Sequence, residues 1–167
     1  MSFELTILGS NSAVPAFGRH PSSQVLSLEG NKFLIDCGEG CQLQMSKYNI
    51  KRGKLDHIFI SHLHGDHYFG LFGLINTLNL NGREAALNIY GPPALKGMLQ
   101  SVLGDYSHRL QYDLNFHGLT MDRAETILET KDCRVSTLVM NHSIECLGFQ
   151  FEPVSYTHLR AHETPCH

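Results

Sequence analysis

No apolar run in the chain approaches the roughly 20 residues needed to span a bilayer. Its start, Met1-Ser2-Phe3-Glu4-Leu5, places no basic segment ahead of an apolar stretch, so neither a transmembrane helix nor a secretory signal is expected. These absences point to a cytoplasmic protein without a membrane partner. Positive charge is also in short supply. With 13 Lys and Arg against 16 Asp and Glu, the formal net charge is −3, which argues against a general basic surface for holding nucleic acid. It does not argue against a nuclease whose metal ions face the phosphate. Five cysteines, an odd number without a secretion signal, favour free thiols in a reducing compartment over disulfides. Internal repeats and low-complexity linkers are missing as well, and 167 residues at 42% hydrophobic and 17% charged suit one globular domain.

Histidine is the residue in excess, with eleven in the chain. The densest cluster is Ser61-His62-Leu63-His64-Gly65-Asp66-His67, directly after the apolar run Ile58-Phe59-Ile60. Imidazole nitrogen and carboxylate oxygen are ligands of Zn²⁺, and a buried strand opening into this loop would hold four such donors rigidly. The competing reading is a surface loop that happens to be His-rich. A second pattern, Cys37-x3-Cys41 followed by His57-x4-His62, formally fits loose zinc-finger spacing. His62 has a better home in the loop, however, and Gly38-Glu39-Gly40 suits a strand-to-helix corner.

In chain order, alternation and turn chemistry predict strands over Phe3–Leu8, Ser23–Leu28 and Lys32–Ile35. A short helix follows, Cys41–Tyr48, with Leu43 and Met45 as its inward members. The next expected elements are a strand at His57–Ile60, a helix at Tyr68–Leu80 carrying Leu71, Leu74, Ile75 and Leu78 at helical spacing, a strand at Leu87–Tyr90, and a helix at Ala94–Leu103. From Leu110 on the pattern turns β-like: Leu114–Phe116, Thr126–Leu128, Arg134–Met140 and Leu147–Phe151. Lys47, Lys51, Arg52 and Lys54 read as a solvated basic loop. His20, His57, His108 and His117 read as surface or structural histidines. His142, at the end of an apolar strand, could reach a metal loop on a neighbouring strand.

After Pro153 the strand pattern stops. Val154 to Thr164 resembles the in-frame translation of a sequencing adapter, so residues 154–167 are expected to be a non-native tail and 1–153 the domain proper. The zinc-like spacing of His158, His162, Cys166 and His167 is then a false motif.

The loop His62-x-His64-x-Asp66-His67 after an apolar strand resembles the signature of the metallo-β-lactamase fold, an α/β four-layer αββα sandwich. Flanking motifs narrow the likeness: Leu8-Gly9-Ser10, Phe33-Leu34-Ile35 running into Asp36-Cys37-Gly38-Glu39-Gly40-Cys41-Gln42, Gly70-Leu71-Phe72-Gly73-Leu74, and Tyr90-Gly91-Pro92. Together they resemble ribonuclease Z, the endoribonuclease that removes the 3′ trailer from precursor tRNA. Cys41 and Phe72 depart from the family's usual threonine and proline. The resemblance implies two zinc ions, one held by His62, His64 and His142, the second by Asp66 and His67, with metal-activated hydroxide attacking the phosphodiester. It makes Asp66 the catalytic proton acceptor as well as a ligand. Asp36 is a candidate to fix a ligand imidazole by accepting its other N–H; a cap on the following turn or helix is the alternative. The resemblance covers only the N-terminal half of that family's domain, so the remaining ligands and the tRNA-gripping arm are expected beyond it, and the chain as written is expected to be unstable and inactive. Homodimerisation is a further expectation of the family. Other readings are a phosphodiesterase or thioesterase on the same fold, or a non-catalytic metal-binding domain.

Overall fold

Two sheets face each other in the computed structural model, which describes residues 3–106 and 108–154. The larger sheet has six strands in sequential order: β1 (Phe3–Gly9), β2 (Ser23–Leu28), β3 (Asn31–Cys37), β4 (Leu55–Phe59), β5 (Leu87–Gly91) and β6 (Leu114–Gly118). β1, β2 and β3 pair antiparallel, β1 and β2 through a long loop (10–22) and β2 and β3 through the turn Glu29-Gly30, whereas β3 to β6 run parallel. Parallel neighbours require crossovers, and α1 (Cys41–Lys47), α2 (Leu71–Leu80) and α3 (Leu95–Leu103) lie within those three connections. The smaller sheet is an antiparallel meander of β7 (Thr126–Glu129), β8 (Cys133–Met140) and β9 (Cys146–Pro153).

The central strands β3 and β4 carry the apolar runs Phe33-Leu34-Ile35 and Ile58-Phe59 because both faces of the sheet are covered there, whereas the edge strand β1 leaves Phe3, Leu5 and Ile7 exposed. Consecutive residues point to opposite layers. Val25, Leu34, Ile58 and Ile89 pack against Met45, Leu71, Leu74, Ile75, Leu95 and Leu99 of the helices. Leu26, Phe33, Phe59 and Tyr90 face the small sheet and meet Cys133, Val135 and Leu147. Phe59 is fully buried and is surrounded by Tyr90, Phe149 and Phe151, with ring centroids 4.8, 5.3 and 5.6 Å away. The described residues therefore build three consecutive layers, α, β and β, of the expected αββα sandwich. No helix of the described residues is long and apolar enough to cross a membrane.

The elements lie where the sequence places them, with two differences. Met45 is buried, but Leu43, expected to join it, is 69% exposed. Only one stripe of the two-turn α1 can reach the sheet, and Cys41 and Met45, four residues apart, occupy it. The second helix begins at Leu71 rather than Tyr68, because Tyr68, at φ −142°, is the non-helical residue that ends the preceding 3₁₀ turn; the Gly70 N–H then bonds to the Cys37 carbonyl at the end of β3, at 2.9 Å. A side chain at Gly70 would collide with the Gly38 carbonyl at this crossing. His57 is half-buried, stacked on Phe33 at 5.7 Å, which is the structural role expected of it. The expected non-native tail lies outside the described residues except for Val154, whose N–H bonds to the Asp132 carbonyl at 2.9 Å.

Phe59→Ala should remove about 3–5 kcal/mol of stability. Leu43→Ala should shift it by no more than about 0.5 kcal/mol. Urea unfolding midpoints of the two variants check the assignment of core and surface.

Candidate metal centre

Three segments converge at the carboxyl ends of β3 and β4, where the antiparallel and parallel parts of the large sheet meet. β3 delivers Asp36. The segment after β4 delivers Ser61, His62 and His64 and then a single 3₁₀ turn, Gly65–His67, bearing Asp66 and His67. The β8–β9 hairpin, closed by the pair Met140 and Cys146, delivers His142. A backbone bond from the Leu147 N–H to the Ser61 carbonyl, 3.0 Å, ties this hairpin to the metal loop.

Asp36 is buried, with a left-handed backbone at φ 55°, a conformation that Asp tolerates better than most residues. Its carboxylate accepts three hydrogen bonds: Oδ1 from the Ser61 N–H at 2.8 Å, Oδ2 from the Ser61 hydroxyl at 2.9 Å, and Oδ2 from His67 Nδ1 at 2.7 Å. It does not cap α1, whose N-cap is Gly40 with no side-chain bond. Because the one hydroxyl proton of Ser61 goes to Asp36, Ser61 Oγ is left to accept from His62 Nδ1, 2.9 Å away. Asp36 thus sets the tautomer of His67 directly and of His62 through Ser61. In the neutral form of each ring the Nε2 lone pair is then the one available to bind.

His62 Nε2 lies 3.1 Å from His64 Nδ1, which lies 3.2 Å from His142 Nε2. One nitrogen from each ring falls within 4.8 Å of the others. Imidazoles sharing a tetrahedral ion at the Zn–N distance of about 2.0–2.1 Å would have nitrogens about 3.3–3.4 Å apart. The two shorter separations come within a few tenths of an ångström of that value, so the donor set fits a metal ion. Beside it, His67 Nε2 and Asp66 Oδ2 are 3.5 Å apart, and the Ala13 N–H donates to Asp66 Oδ2 at 2.8 Å. Ser12, Ala13 and Phe69 wall the open cleft above these donors.

Burial, helped by the neighbouring imidazoles, pushes His62 down to about 4, so it is neutral at pH 7 and its lone pair is available. Burial works against ionisation of Asp66, but the Ala13 N–H and the nearby His67 outweigh it and hold the carboxyl below its ordinary value. Burial likewise opposes charge on His67, and the Asp36 carboxylate raises it nonetheless.

All six residues singled out in the sequence, Asp36, His62, His64, Asp66, His67 and His142, therefore meet in one place. Three participants were missed. Ser61 carries the link from Asp36 to His62; its position between an apolar strand and the first histidine was the available signal. Ala13 and Cys146, the latter with Sγ 3.5 Å from His62 Nδ1, are brought in by tertiary packing and have no local signature.

Residues 3–166 match the family described as Anti-Pycsar protein Apyc1. The chain is similar to ribonuclease Z of Bacteroides fragilis, 45% identical over 149 residues, covering 89% of this chain and 49% of that protein. It is also similar to ribonuclease Z of Porphyromonas gingivalis, 42% identical over 151 residues, 90% of this chain and 50% of that protein. The chain thus spans about half the length of the curated relatives it matches. Among solved structures, the short form of human tRNase Z superposes with a TM-score of 0.79 at 32% identity, covering 89% of this chain and 64% of that one. A metallo-β-lactamase-fold protein of Bacillus subtilis, 22% identical with a TM-score of 0.71, covers 89% of this chain and 56% of its own and shares the fold.

Asp36→Asn, which weakens the acceptor for both Ser61 and His67, should lower metal affinity about 10- to 100-fold in a chelator competition titration. In the metal-free chain His62 should subtract stability as pH falls, against His67, whose raised pKa acts in the opposite direction. His62 has a folded pKa of about 4 against an ordinary 6.5, so its contribution is fully present above 6.5 and is lost between 6.5 and 4. Denaturation midpoints across that window should fall less steeply in His62→Gln.

Proposed function

Because the chain belongs to the family described as Anti-Pycsar protein Apyc1 and is 40–45% identical to curated ribonuclease Z proteins over about nine tenths of its length, we propose that its metal centre serves an endoribonuclease that removes the 3′ trailer from precursor tRNA. The observation that carries this reading is the convergence of His62, His64 and His142 beside Asp66 and His67, in a chain with that degree of ribonuclease Z likeness. The metal is zinc in this proposal, with His62, His64 and His142 holding one ion and Asp66 and His67 contributing to a second. Bound there, the metals supply Lewis acidity toward phosphoryl oxygens and acidify water at neutral pH.

The side chains of this protein do the rest. His62 is a neutral donor oriented in advance through Ser61 and Asp36, and His64 and His142 bring their ring nitrogens to it. The Ala13 N–H holds the Asp66 carboxylate in place through Oδ2, and that carboxylate would accept a proton from the attacking water. A carboxylate held below its ordinary pKa is a weak base, so Asp66 orients the water and accepts its proton as the water becomes acidic. Asp36 touches no substrate and acts as a positioning residue. Among the described residues, only Asp66 and His67 stand ready for the second ion. In this reading the remaining donors and most of the tRNA grip belong to the half of the relatives' length that the chain does not match. The reaction belongs to the cytoplasm, and a homodimer is part of the same proposal by family likeness.

The family description names a different protein from ribonuclease Z. A hydrolase of another substrate on this fold, a phosphodiesterase or thioesterase, is therefore the second reading. The turn Gly38-Glu39-Gly40 and the run Gly70-Leu71-Phe72-Gly73-Leu74 favour the tRNA nuclease.

The test is cleavage of a trailer-bearing precursor tRNA by this chain and by one continued to the length of its relatives. The continued chain should cut at the trailer junction, and Asp66→Ala should slow it by at least about 100-fold. The 167-residue chain should bind one ion and cut little. Two bound zinc ions with undiminished cleavage in Asp66→Ala would sink the mechanism. Failure of the continued chain to cut tRNA while it hydrolyses another ester would favour the second reading.

A further inference from the structure

The turn that joins Asp36 to α1 begins and ends in a thiol. Cys37 and Cys41 place their sulfurs 3.2 Å apart, and both residues are buried. Finger-like metal spacing was the only function the sequence suggested for them, and neither joins the grouping of metal donors found among the described residues. Of the described cysteines, only these two have their sulfurs in contact with each other. Cys133 lies in the core between the sheets, and Cys146 lies beside His62.

The two sulfurs are unequal. Hydrogen bonding from the Cys37 thiol lowers Cys41 despite its burial, with help from the Gln42 N–H and the Arg52 charge. The same contact, together with burial, raises Cys37. Cys41 is only 1% exposed but lies against a surface cleft with Gly40, Arg52 and Phe69, and that cleft is the side from which a small reagent would reach it. In the pair so placed, Cys41, the sulfur beside the cleft and the one whose thiolate is favoured, is assigned the attack and Cys37 the resolving role.

The turn is clamped to the metal centre. The Gly38 N–H bonds to the Ser22 carbonyl at 3.0 Å, and the Cys37 carbonyl accepts from Gly70 at 2.9 Å. Gly38 packs so closely on the metal loop that an added Cβ would lie 2.6 Å from the Asp66 carbonyl oxygen. A disulfide requires the sulfurs to close from 3.2 Å to about 2.05 Å, and whatever part of that movement side-chain rotation does not absorb passes into a segment held this tightly. The residue joined directly to Cys37 is Asp36.

We propose that Cys37 and Cys41 are a redox-sensitive pair in which a hydroperoxide drives disulfide formation, displacing Asp36 and loosening the metal centre. The Cys41 thiolate attacks one oxygen of hydrogen peroxide; the O–O bond breaks, and the departing hydroxide takes up a proton to become water. The Cys37 sulfur then attacks the Cys41 sulfenic sulfur; the S–O bond breaks, and the hydroxyl leaves with the Cys37 proton as a second water. Two thiols and one peroxide become one disulfide and two waters, each sulfur losing one electron. A thiol reductant reverses the change. The effect on metal affinity rests on the metal-centre reading above, whereas formation of the disulfide does not.

The experiment uses the full 167-residue chain, reduced and metal-free, treated with stoichiometric hydrogen peroxide. The tryptic peptide Phe33–Lys47, which contains both cysteines, should become lighter by two hydrogens and resist alkylation. In ¹H–¹⁵N spectra the Ser61 amide, a donor to Asp36, should shift on oxidation of the wild type and stay in place in Cys41→Ser, with Cys37→Ala as an independent second control. Zinc should then bind the reduced wild type at least about tenfold more tightly than the oxidised one, a difference absent from both variants. Persistent alkylation of Cys37 and Cys41 under conditions that oxidise Cys146 would overturn the proposal, as would a disulfide that leaves the Ser61 amide unmoved. A reduced chain that binds no metal would overturn the metal-centre reading alone, and the peptide mass and the Ser61 signal would still decide this one.

Discussion

One buried carboxylate organises the metal centre. Asp36 accepts from the Ser61 backbone, the Ser61 hydroxyl and His67, and through Ser61 it reaches His62. A lone carboxylate in such a place would be expensive to ionise, and three donors aimed at its two oxygens offset that cost. In return it sets which nitrogen of two imidazoles carries the proton, a choice that a metal ligand cannot leave to chance. The left-handed backbone of Asp36 belongs to the same arrangement. A strained backbone, costing about 1–3 kcal/mol, persists where the surrounding contacts over-determine it.

The layers on either side explain why those contacts hold. The helices cover one face of the large sheet and the small sheet covers the other, so the strand ends that carry Asp36 and Ser61 have little freedom to move. The metal loop is pinned at several points: Ala13 on the Asp66 carboxylate, Leu147 on Ser61, and the close approach of Gly38 to the Asp66 backbone. Glycine at position 38 is what that approach demands. The same tight packing makes the Cys37–Cys41 turn a place from which a small covalent change would reach the metal centre.

Much of this was legible beforehand, for particular reasons. Strand runs such as Phe33-Leu34-Ile35 and Ile58-Phe59-Ile60 announce themselves because both faces of the sheet are covered, and α2 shows its stripe because only one of its faces is. Leu43 misled because a two-turn helix offers one narrow stripe, which Cys41 and Met45 fill. The start of α2 misled because periodicity cannot register that Tyr68 closes the 3₁₀ turn of the preceding loop in a non-helical conformation. Among the site residues, the cluster from His62 to Asp66 and His67 was visible because its members share one short loop. His142 was a weaker inference from its place at the end of a strand.

What the sequence by itself determined is the local inventory: which segments are strands and helices, and that a rigid loop of imidazole and carboxylate donors follows β4. Residue type and spacing suffice for that, because periodicity and ligand chemistry act over a few positions along the chain. Only the tertiary structure decided the constellation. The meeting of His142 with His64 across 78 residues, the choice of Asp36 as acceptor for His67 rather than as a helix cap, and the arrival of Ala13 and Cys146 all depend on how two sheets close on each other. Contacts between residues distant in sequence carry no local pattern, and they exist only once the layers have packed.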